Sequence, residues 1–265
     1  MKIARCIVTV APLRKEPDHR SEMVSQLLLM EDMEIVSTEK DFLKVKCLYD
    51  GYEGWVHRFQ VSMLEGNIEQ GPHPKMINGD PFREVSCNGE HITMLFGSPL
   101  SAFDHGKARF SEMDWVYEGR FWNAAEAHFN AETIKWVVDH FLHVPYLWGG
   151  RSIVGVDCSG FTQMVFRFFH QVLPRDAADQ SQLGEPVGFI QEAKCGDLAF
   201  FDDEQGNIIH VGIMANSGEI WHASGSVRLD PIDHVGIMHK VSGERTHRLR
   251  IIKRIVPSSF VEFDV

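Results

Sequence analysis

Short apolar runs alternate with polar turns in the first quarter of the chain, at a spacing of about ten residues. Four of the runs and a glycine-flanked aromatic segment stand out, namely Ile7–Val10, Leu27–Met30, Met33–Val36, Phe42–Val45 and Gly51–Val56. Short strands separated by turn signals are typical of small all-β domains. The pattern therefore predicts a small β-barrel over residues 1–65.

Residues 66–128 carry weaker signals. Glycine and proline are concentrated in residues 70–81, which predicts a linker. Beyond it, His91–Phe96 and Trp115–Tyr117 have the composition of strands, and Tyr117–Gly119 repeats the Tyr-Glu-Gly of Tyr52–Gly54. Two interpretations stay open for this stretch: a second, degenerate copy of the barrel, or a linker region.

The pattern changes in residues 129–265. Apolar positions between Ile134 and Leu142 follow helical spacing after Asn130, a residue type that caps helices. A second run with helical spacing follows Asp157, and strand-like runs come after it: Leu198–Phe201, Ile208–Met214, Ile220–Ala223 and Leu249–Val256. Helices followed by antiparallel strands predict an α+β domain.

Composition excludes several classes of function. The net charge of −11 disfavours nucleic acid and anionic membranes as partners, because both require clustered basic residues. No apolar run is long enough to span a membrane. The apolar N-terminus is interrupted by Pro12 and lacks a cleavage site, so no export signal is expected. Five scattered cysteines without a CxxC pair suit a reducing compartment, and we expect a cytoplasmic location.

Cys158 is the first candidate for chemistry. Asp157 suits an N-cap, which would place Cys158 in the first turn of the second helix. Backbone N–H groups and the helix dipole would then lower the pKa of its thiol to about 3.5–7.5. A buried structural cysteine is the competing interpretation.

Two of the fourteen histidines, His210 and His222, lie inside apolar strands. A three-residue hairpin loop at residues 216–218, with Gly218 in a left-handed conformation, would pair Gly212 with His222. Both histidines would then lie on one face of the sheet, within reach of each other. A two-residue loop would place them on opposite faces. Two histidines buried in the core are the competing interpretation.

The three residues together suit nucleophilic catalysis. Cys158 would attack the substrate, and His210 would hold the thiolate as an ion pair and protonate the leaving amine. His222 would orient the ring of His210. By contrast, His140 and His143 have helical i, i+3 spacing but no accompanying metal motif, so we interpret them as ordinary helix residues.

At this point the chain resembles the NlpC-type family of papain-like bacterial cell-wall cysteine peptidases. The matching segments are Pro145–Gly150, Asp157–Phe161, Gly196–Leu198, His210–Ile213 and His222–Ser224, in an order and spacing that fit over about 120 residues. The resemblance implies a papain-like domain over residues 129–265, with Cys158 as nucleophile. It also implies that one or two SH3-like barrels precede this domain.

The N-terminal part is similar to the SH3-like domains of a subgroup that recycles murein peptides. In that subgroup an acidic residue and a tyrosine hold the free amino group of L-Ala. The matching positions are Glu16 and Tyr52. A solvated charge at Glu16 and simple barrel packing by Tyr52 remain the alternatives.

The resemblance implies further substrate-binding residues. Asp157 and Ser159 flank the nucleophile, Asp176 follows the helix, and Trp148 lies in the first motif, where its alternative role is only to wall the cleft. Ala177 stands where the subgroup has serine, which puts one expected hydrogen bond in doubt.

The expected function is hydrolysis of the γ-D-Glu–L-diamino acid bond of free murein peptides that carry an N-terminal L-Ala, with release of L-Ala-γ-D-Glu. The diamino acid could be lysine or diaminopimelate. No cofactor, metal, nucleic acid, membrane or protein partner is expected. The alternatives are an exported murein endopeptidase or amidase that acts on intact wall, and a catalytically inactive wall-binding protein.

Overall fold

The computed structural model describes residues 2–64 and 74–255. The chain forms two compact units. Unit 1 contains residues 1–126 together with 148–153 and 170–172, and unit 2 contains residues 127–147, 154–169 and 173–265.

Unit 1 begins with an antiparallel sheet of seven strands in the order β3-β2-β6-β5-β4-β1-β7. The strands are β1 (Ile3–Cys6), β2 (Val10–Arg14), β3 (Met23–Leu28), β4 (Asp32–Glu39), β5 (Phe42–Cys47), β6 (Glu53–His57) and β7 (Val61–Met63), with a 3₁₀ turn at Arg58–Gln60. Alternate side chains, including Ala11, Leu13, Val45 and Val56, are fully buried in one core. Four of the five strands predicted for residues 1–65 are present, although the one predicted at Leu27–Met30 covers only Leu27 and Leu28 because residues 29 and 30 form a turn. The fifth is an exception.

The exception is the apolar run Ile7–Val10. Residues 7–9 connect β1 to β2 rather than forming a strand. Val8 packs against the core of the first sheet, whereas Ile7 packs against a second core of unit 1. The run is apolar because it serves two cores, so its composition imitates a strand.

The second core combines Leu29 and Met30, in the turn after β3, with side chains from residues 76–117. The strands of this region are β8 (Met76–Asn78), β9 (Phe82–Cys87), β10 (Glu90–Leu95), β11 (Lys107–Phe110), β12 (Met113–Val116) and β13 (Phe121–Asn123). Strands β9 to β12 form a four-stranded antiparallel sheet in the order β10-β9-β12-β11, and β8 pairs with β13. The predicted linker is therefore partly a strand, at β8, and its residues 70–73 lie outside the described residues. That residues 66–128 are a degenerate copy of the barrel stays a prediction.

Tyr117, the counterpart of Tyr52 in the sequence echo, is a core residue. Only 2% of it is exposed, and its hydroxyl lies 2.8 Å from both Asn78 Oδ1 and Arg120 O. Tyr52 is half-buried instead. Burial removes Tyr117 from any role in substrate binding.

Unit 2 contains three helices, α1 (Ala131–Asp139), α2 (Cys158–Arg167) and α3 (Ala177–Gln180). Two short strands precede α2: β14 (Arg151–Ser152), which belongs to unit 1, and β15 (Gly155–Val156), which belongs to unit 2. Its main strands are β16 (Glu185–Val187), β17 (Leu198–Asp202), β18 (Ile208–Asn216), β19 (Glu219–Ser224), β20 (Ser226–Pro231), β21 (Gly236–Met238) and β22 (Arg245–Arg254), with a 3₁₀ turn at Ile190–Glu192. They form one antiparallel sheet in the order β16-β22-β17-β18-β19-β20, and β21 pairs with β22.

The two predicted helices are confirmed, and both begin at the predicted caps. Asn130 accepts a hydrogen bond from Thr133 N–H at the start of α1. Helix α2 is buried along its whole length and packs against β18. The expectation that His140 and His143 share a helix is wrong, because α1 ends at Asp139 and His143 has a left-handed φ of 67°.

No helix within residues 2–64 and 74–255 has the length and apolar character needed to cross a membrane.

Candidate active site

Cys158 occupies the first position of α2, and the local sequence explains why. Asp157 has extended backbone angles, and its Oδ1 accepts a hydrogen bond from Gly160 N–H at 2.7 Å. This N-cap starts the helix at Cys158, as predicted. Cys158 is 8% exposed, and its sulfur interacts with the backbone of Val211, the residue that follows His210. The helix start therefore brings the thiol beside the strand that carries His210.

The hairpin between β18 and β19 differs from the prediction in its loop. Asn216 pairs with Glu219, so the loop has two residues rather than three. Gly218 does not have the predicted left-handed φ. A two-residue loop alone would send the two histidines to opposite faces of the sheet.

A β-bulge at Ala215 corrects the register. The pairing shifts between Met214 and Asn216, which inserts one extra residue into β18. Gly212 therefore pairs with His222, as predicted, although the loop is shorter than predicted. His210 and His222 lie on the same face as a result.

The two histidines are hydrogen-bonded to each other. Nε2 of His210 lies 2.9 Å from Nδ1 of His222, and the rings are nearly perpendicular, at 88°. His222 Nε2 lies 3.0 Å from Oδ2 of Asp230, which is 1% exposed. The sequence reasoning missed Asp230. The signal that could have revealed it is an acidic residue at an inward-facing position of a strand. The structure thus extends the predicted pair to a chain of three hydrogen-bonded side chains.

His247 lies against this chain and was also missed. Its ring stacks on that of His210, with centroids 4.0 Å apart and planes inclined by 22°. The ring nitrogens of His210, His222 and His247 lie within 4.8 Å of one another, which raises the question of a metal ion. The lone pairs of two stacked rings lie in nearly parallel planes, so they do not converge on one ion at bonding distance of about 2 Å. The stacked geometry does not suit a metal centre.

Burial controls the protonation of the thiol and the imidazole. It raises the pKa of Cys158 to about 11. The charge of Asp157 acts in the same direction, whereas the backbone of Val211 and Ser159 and the charge of Arg175 act to lower this pKa. Burial, together with His247 and His222, lowers the pKa of His210 well below its usual range. The predicted lowering of the thiol pKa is therefore wrong. Both shifts favour the neutral thiol and the neutral imidazole over the predicted ion pair.

Asp157 and Ser159 are tied to Arg175, a third residue that the sequence reasoning missed. The guanidinium donates to both carboxylate oxygens of Asp157, at 3.0 and 2.6 Å, and to Ser159 Oγ at 2.9 Å. Arg175 and Asp157 have side chains that are 2% and 10% exposed. This buried ion pair fixes the N-cap and hence the start of α2. Substrate binding by Asp157 and Ser159 stays a prediction.

The segment after α2 holds the helix from a second side. Gln180 donates to Ser159 O at 3.1 Å and accepts from Thr162 Oγ1 at 2.8 Å. Asp176, a predicted substrate-binding residue, occupies the N-cap position of α3 and is exposed. Ala177, which stands where a serine was expected, is buried.

The remaining candidates belong to unit 1. Trp148 is 62% exposed, and its Nε1 donates to Glu22 Oε1 at 2.8 Å. The next residue, Gly149, has a φ of 74°, and a Cβ atom at this position would come within 2.3 Å of the carbonyl oxygen of Met23. Both facts favour glycine over any other residue type here. This close approach is one physical reason for the glycine in the first motif.

Tyr52 lines an open cavity of about 440 Å³ in unit 1. The other lining residues are Lys15, Glu22, Val24, Lys44, Glu53, Gly54 and Trp55. Glu16 lies in the exposed turn after β2, where its N–H donates to Ser21 Oγ at 2.9 Å. The sequence reasoning paired Tyr52 with Glu16 and missed Glu22, which lines the same cavity as Tyr52.

Comparison with known proteins places these sites in a family. A model of the NlpC/P60 family matches residues 143–246, and one of the bacterial dipeptidyl-peptidase SH3 domain matches residues 13–60. A protein of Bacillus cereus (strain ATCC 10987 / NRS 248) named gamma-D-glutamyl-L-lysine dipeptidyl-peptidase is 35% identical over 259 residues, covering 86% of this chain and 76% of that protein. The chain belongs to the NlpC/P60 family. The predicted membership of a cysteine peptidase family is confirmed.

Two further relatives agree. A protein of Bacillus subtilis (strain 168) with the same name is 34% identical over 184 residues, which cover 65% of this chain and 60% of that protein. The crystal structure of an NlpC/P60 family protein from Bacillus cereus ATCC 10987 matches with a TM-score of 0.77 and 22% identity, covering 96% of this chain and 100% of that one. The predicted fold class, a papain-like α+β domain preceded by SH3-like β structure, is confirmed.

Proposed function

We propose that the chain is a cysteine peptidase that hydrolyses the γ-D-Glu–L-diamino acid bond of free murein peptides and releases L-Ala-γ-D-Glu. The observation that carries the proposal is Cys158 at a helix start beside the strand of a hydrogen-bonded His210–His222 pair. The names of two relatives, which specify a γ-D-glutamyl-L-lysine bond, support the choice of bond.

The first half of the reaction forms an acyl-enzyme. Nε2 of His210 is engaged with His222, so Nδ1 is the nitrogen open to the thiol. It accepts the proton of Cys158 as the sulfur attacks the γ-carbonyl carbon of D-Glu. The backbone N–H of Cys158, at the first position of α2, has no intrahelical acceptor and stabilises the developing oxyanion.

The first half is completed when protonated His210 passes its proton to the leaving amine of the diamino acid and the peptide bond breaks, which leaves the acyl-enzyme. In the second half, His210 accepts a proton from water as the water oxygen attacks the thioester. The bond between the Cys158 sulfur and the acyl group then breaks, and His210 returns the proton to the sulfur. The product acid is L-Ala-γ-D-Glu. Because burial favours the neutral forms of both groups, we propose that His210 acts as a general base rather than as the partner of a preformed thiolate.

We also propose that unit 1 recognises the free amino group of the substrate. Tyr52 offers a hydroxyl, and Glu16 and Glu22 are the two carboxylates considered for the ammonium group. Glu22 lines the cavity of Tyr52 and is held by Trp148, whereas Glu16 is the position that matches the subgroup. Charge-assisted hydrogen bonds of this kind contribute about 1.5–3 kcal/mol each.

A side-by-side digest tests the proposed substrate. Free L-Ala-γ-D-Glu-L-Lys, its diaminopimelate analogue and the N-acetylated form of each are incubated with the enzyme, and the products are identified by mass spectrometry. We expect L-Ala-γ-D-Glu from the free peptides and little cleavage of the acetylated ones. Equal cleavage of both forms would favour the alternative, an exported endopeptidase or amidase that acts on intact wall.

Paired variants distinguish the two carboxylates. We expect Tyr52→Phe and one of Glu16→Gln and Glu22→Gln to lower kcat/KM on the free tripeptide by roughly 10–100-fold. Glu53→Gln, in the same cavity, serves as the control. If neither Glu16→Gln nor Glu22→Gln differs from this control, the amine-recognition proposal is wrong.

The cytoplasmic location stays a prediction that cell fractionation can test.

A further inference from the structure

Asp230 is a buried carboxylate at the end of the hydrogen-bonded histidine chain. It lies on β20, is 1% exposed, and its Oδ2 is 3.0 Å from His222 Nε2. The same oxygen accepts from Arg228 Nε at 2.7 Å, and Oδ1 accepts from the backbone N–H of Lys240 at 3.1 Å. A carboxylate with three donors directed at it remains ionised and acts only as an acceptor.

This arrangement determines the tautomer of both histidines. Because Asp230 can only accept, Nε2 of His222 must carry the proton that it donates. Neutral His222 then has an unprotonated Nδ1, which accepts from Nε2–H of His210. Neutral His210 in turn has an unprotonated Nδ1. That is the nitrogen a general base needs for the thiol of Cys158.

We propose that Asp230 is a positioning residue that, acting through His222, leaves Nδ1 of His210 unprotonated and ready to accept the thiol proton. The proposal rests on the assignment of Cys158 and His210 in the proposed function. It also gives His222 a second task besides holding the ring of His210. The tautomer that Asp230 imposes on His222 determines which nitrogen of His210 carries the proton.

The same chain stabilises the protonated intermediate. When His210 takes the thiol proton, its Nε2–H still points to His222, whose own Nε2–H points to the negative charge of Asp230. The other charged or titratable groups facing the pair are His247 on β22, Arg228 on β20 and His239 after β21. None of these three groups supplies negative charge, whereas Asp230 does. We therefore expect the loss of Asp230 to lower kcat more than it changes KM.

The test compares Asp230→Ala with Asp230→Asn. Alanine removes both the acceptor and the charge. Asparagine can present its amide oxygen to His222 and Arg228, so it keeps the acceptor and loses the charge. The matched control is Asp202→Ala, which removes another buried carboxylate of unit 2, one paired with Arg248 at 2.7 Å and not with a histidine. Circular dichroism checks that each variant is folded.

Nitrogen-15 NMR of histidine-labelled protein reads the tautomers without any substrate. In the wild-type enzyme we expect protonated Nε2 and unprotonated Nδ1 on both His210 and His222. Asp230→Ala should populate the opposite tautomer, whereas Asp230→Asn and Asp202→Ala should retain the wild-type pattern. An unchanged pattern in Asp230→Ala would overturn the proposal.

Kinetics supply the second readout. We expect Asp230→Ala to lower kcat by about 10²–10⁴-fold, the range for a lost general base, with KM little changed and Asp230→Asn intermediate. The difference in kcat between Asp230→Ala and the wild-type enzyme should become smaller as the pH approaches the thiol pKa of about 11, because Cys158 then ionises without a base. A deficit of the same size at every pH would indicate a merely structural role and would contradict the proposal.

Alkylation of Cys158 by iodoacetamide separates this proposal from the proposed function. The reaction requires loss of the thiol proton but no peptide substrate. If Asp230→Ala slows alkylation near neutral pH while murein peptides are not cleaved even by the wild-type enzyme, the substrate is wrong and the positioning role stands. If alkylation is unaffected and the peptides are cleaved normally by Asp230→Ala, the positioning role is wrong.

Discussion

The two units bury ionisable side chains in different ways. In unit 1, Arg151 and Glu31 form an ion pair whose side chains are 1% and 4% exposed, and Arg151 also donates to Gln26 O at 3.0 Å. In unit 2, Cys158 and His210 are also buried, at 8% and 5% exposed, and burial is the largest influence on the pKa of each. Burial therefore accompanies an ion pair in unit 1, whereas in unit 2 it favours the neutral forms of Cys158 and His210.

The difference shows that burial alone does not determine chemistry. For Arg151, burial acts to lower the pKa, but nearby groups, Glu31 and Asp50 first among them, act to raise it. The net shift is upward, so the side chain stays charged. For His210, the neighbouring cations and histidines act in the same direction as burial and lower the pKa. A matched pair is inert and supports the fold, whereas two neutral groups can exchange a proton when a substrate arrives.

The largest effect is expected where the neutral pair is broken. Cys158→Ala and His210→Ala should each lower kcat by about 10⁴-fold or more, because nucleophile and base act as a unit. Hydrolysis of the free tripeptide measures the loss, and Cys195→Ala is the control thiol. His222→Gln should keep part of the rate, since an amide can still orient His210. A His222→Gln variant as inactive as His210→Ala would show that the orienting role is wrong.

Next in size is the loss of a buried ion-pair partner. Arg151→Met in unit 1 and Arg175→Met in unit 2 should each lower the free energy of unfolding by about 3–5 kcal/mol, because a buried carboxylate loses its partner. Urea titration measures the change. The exposed pair of Arg58 and Asp41 supplies the control, and Arg58→Met should cost less than about 1 kcal/mol. Equal costs for Arg58→Met and Arg151→Met would contradict the contrast between buried and exposed pairs.

The smallest effect is a pH dependence of stability that arises from the buried histidines of unit 2. The pKa values of His210 and His222 are lower in the folded protein than the usual 6.5. Below pH 6.5 the unfolded chain binds protons that the folded chain does not, so stability falls as the pH decreases. Each histidine contributes up to about 1.4 kcal/mol per pH unit in this window. Urea titrations from pH 7 to 5 should show a weaker slope for His210→Gln, and an unchanged slope would contradict the account.

Local signals in the sequence were read correctly where they act over a few residues. The N-caps at Asn130 and Asp157 predicted the starts of both long helices, and the glycine-flanked run predicted β6. The strand at Ile7–Val10 was predicted wrongly, because its apolar residues divide between two cores that lie far apart in sequence.

The histidine pair shows the limit of such reasoning. The predicted pairing of Gly212 with His222 is confirmed, but the predicted loop is wrong, and only the bulge at Ala215 reconciles the two. Bulges depend on how a strand packs against its neighbours, so the alternation of apolar and polar residues did not reveal it. Asp230 and Arg175 were missed for a similar reason, since each becomes a partner only after strands or helices pack together.

The sequence by itself determined that Cys158, the proposed nucleophile, begins a capped helix and that His210 and His222 lie within two apolar strands. These positions follow from hydrogen bonds and side-chain alternation within short segments. Only the tertiary structure decided how those residues are protonated. The pKa of Cys158 rises and that of His210 falls because β18, β19, β22 and α2 together exclude water from both groups, and no single segment of sequence contains that information.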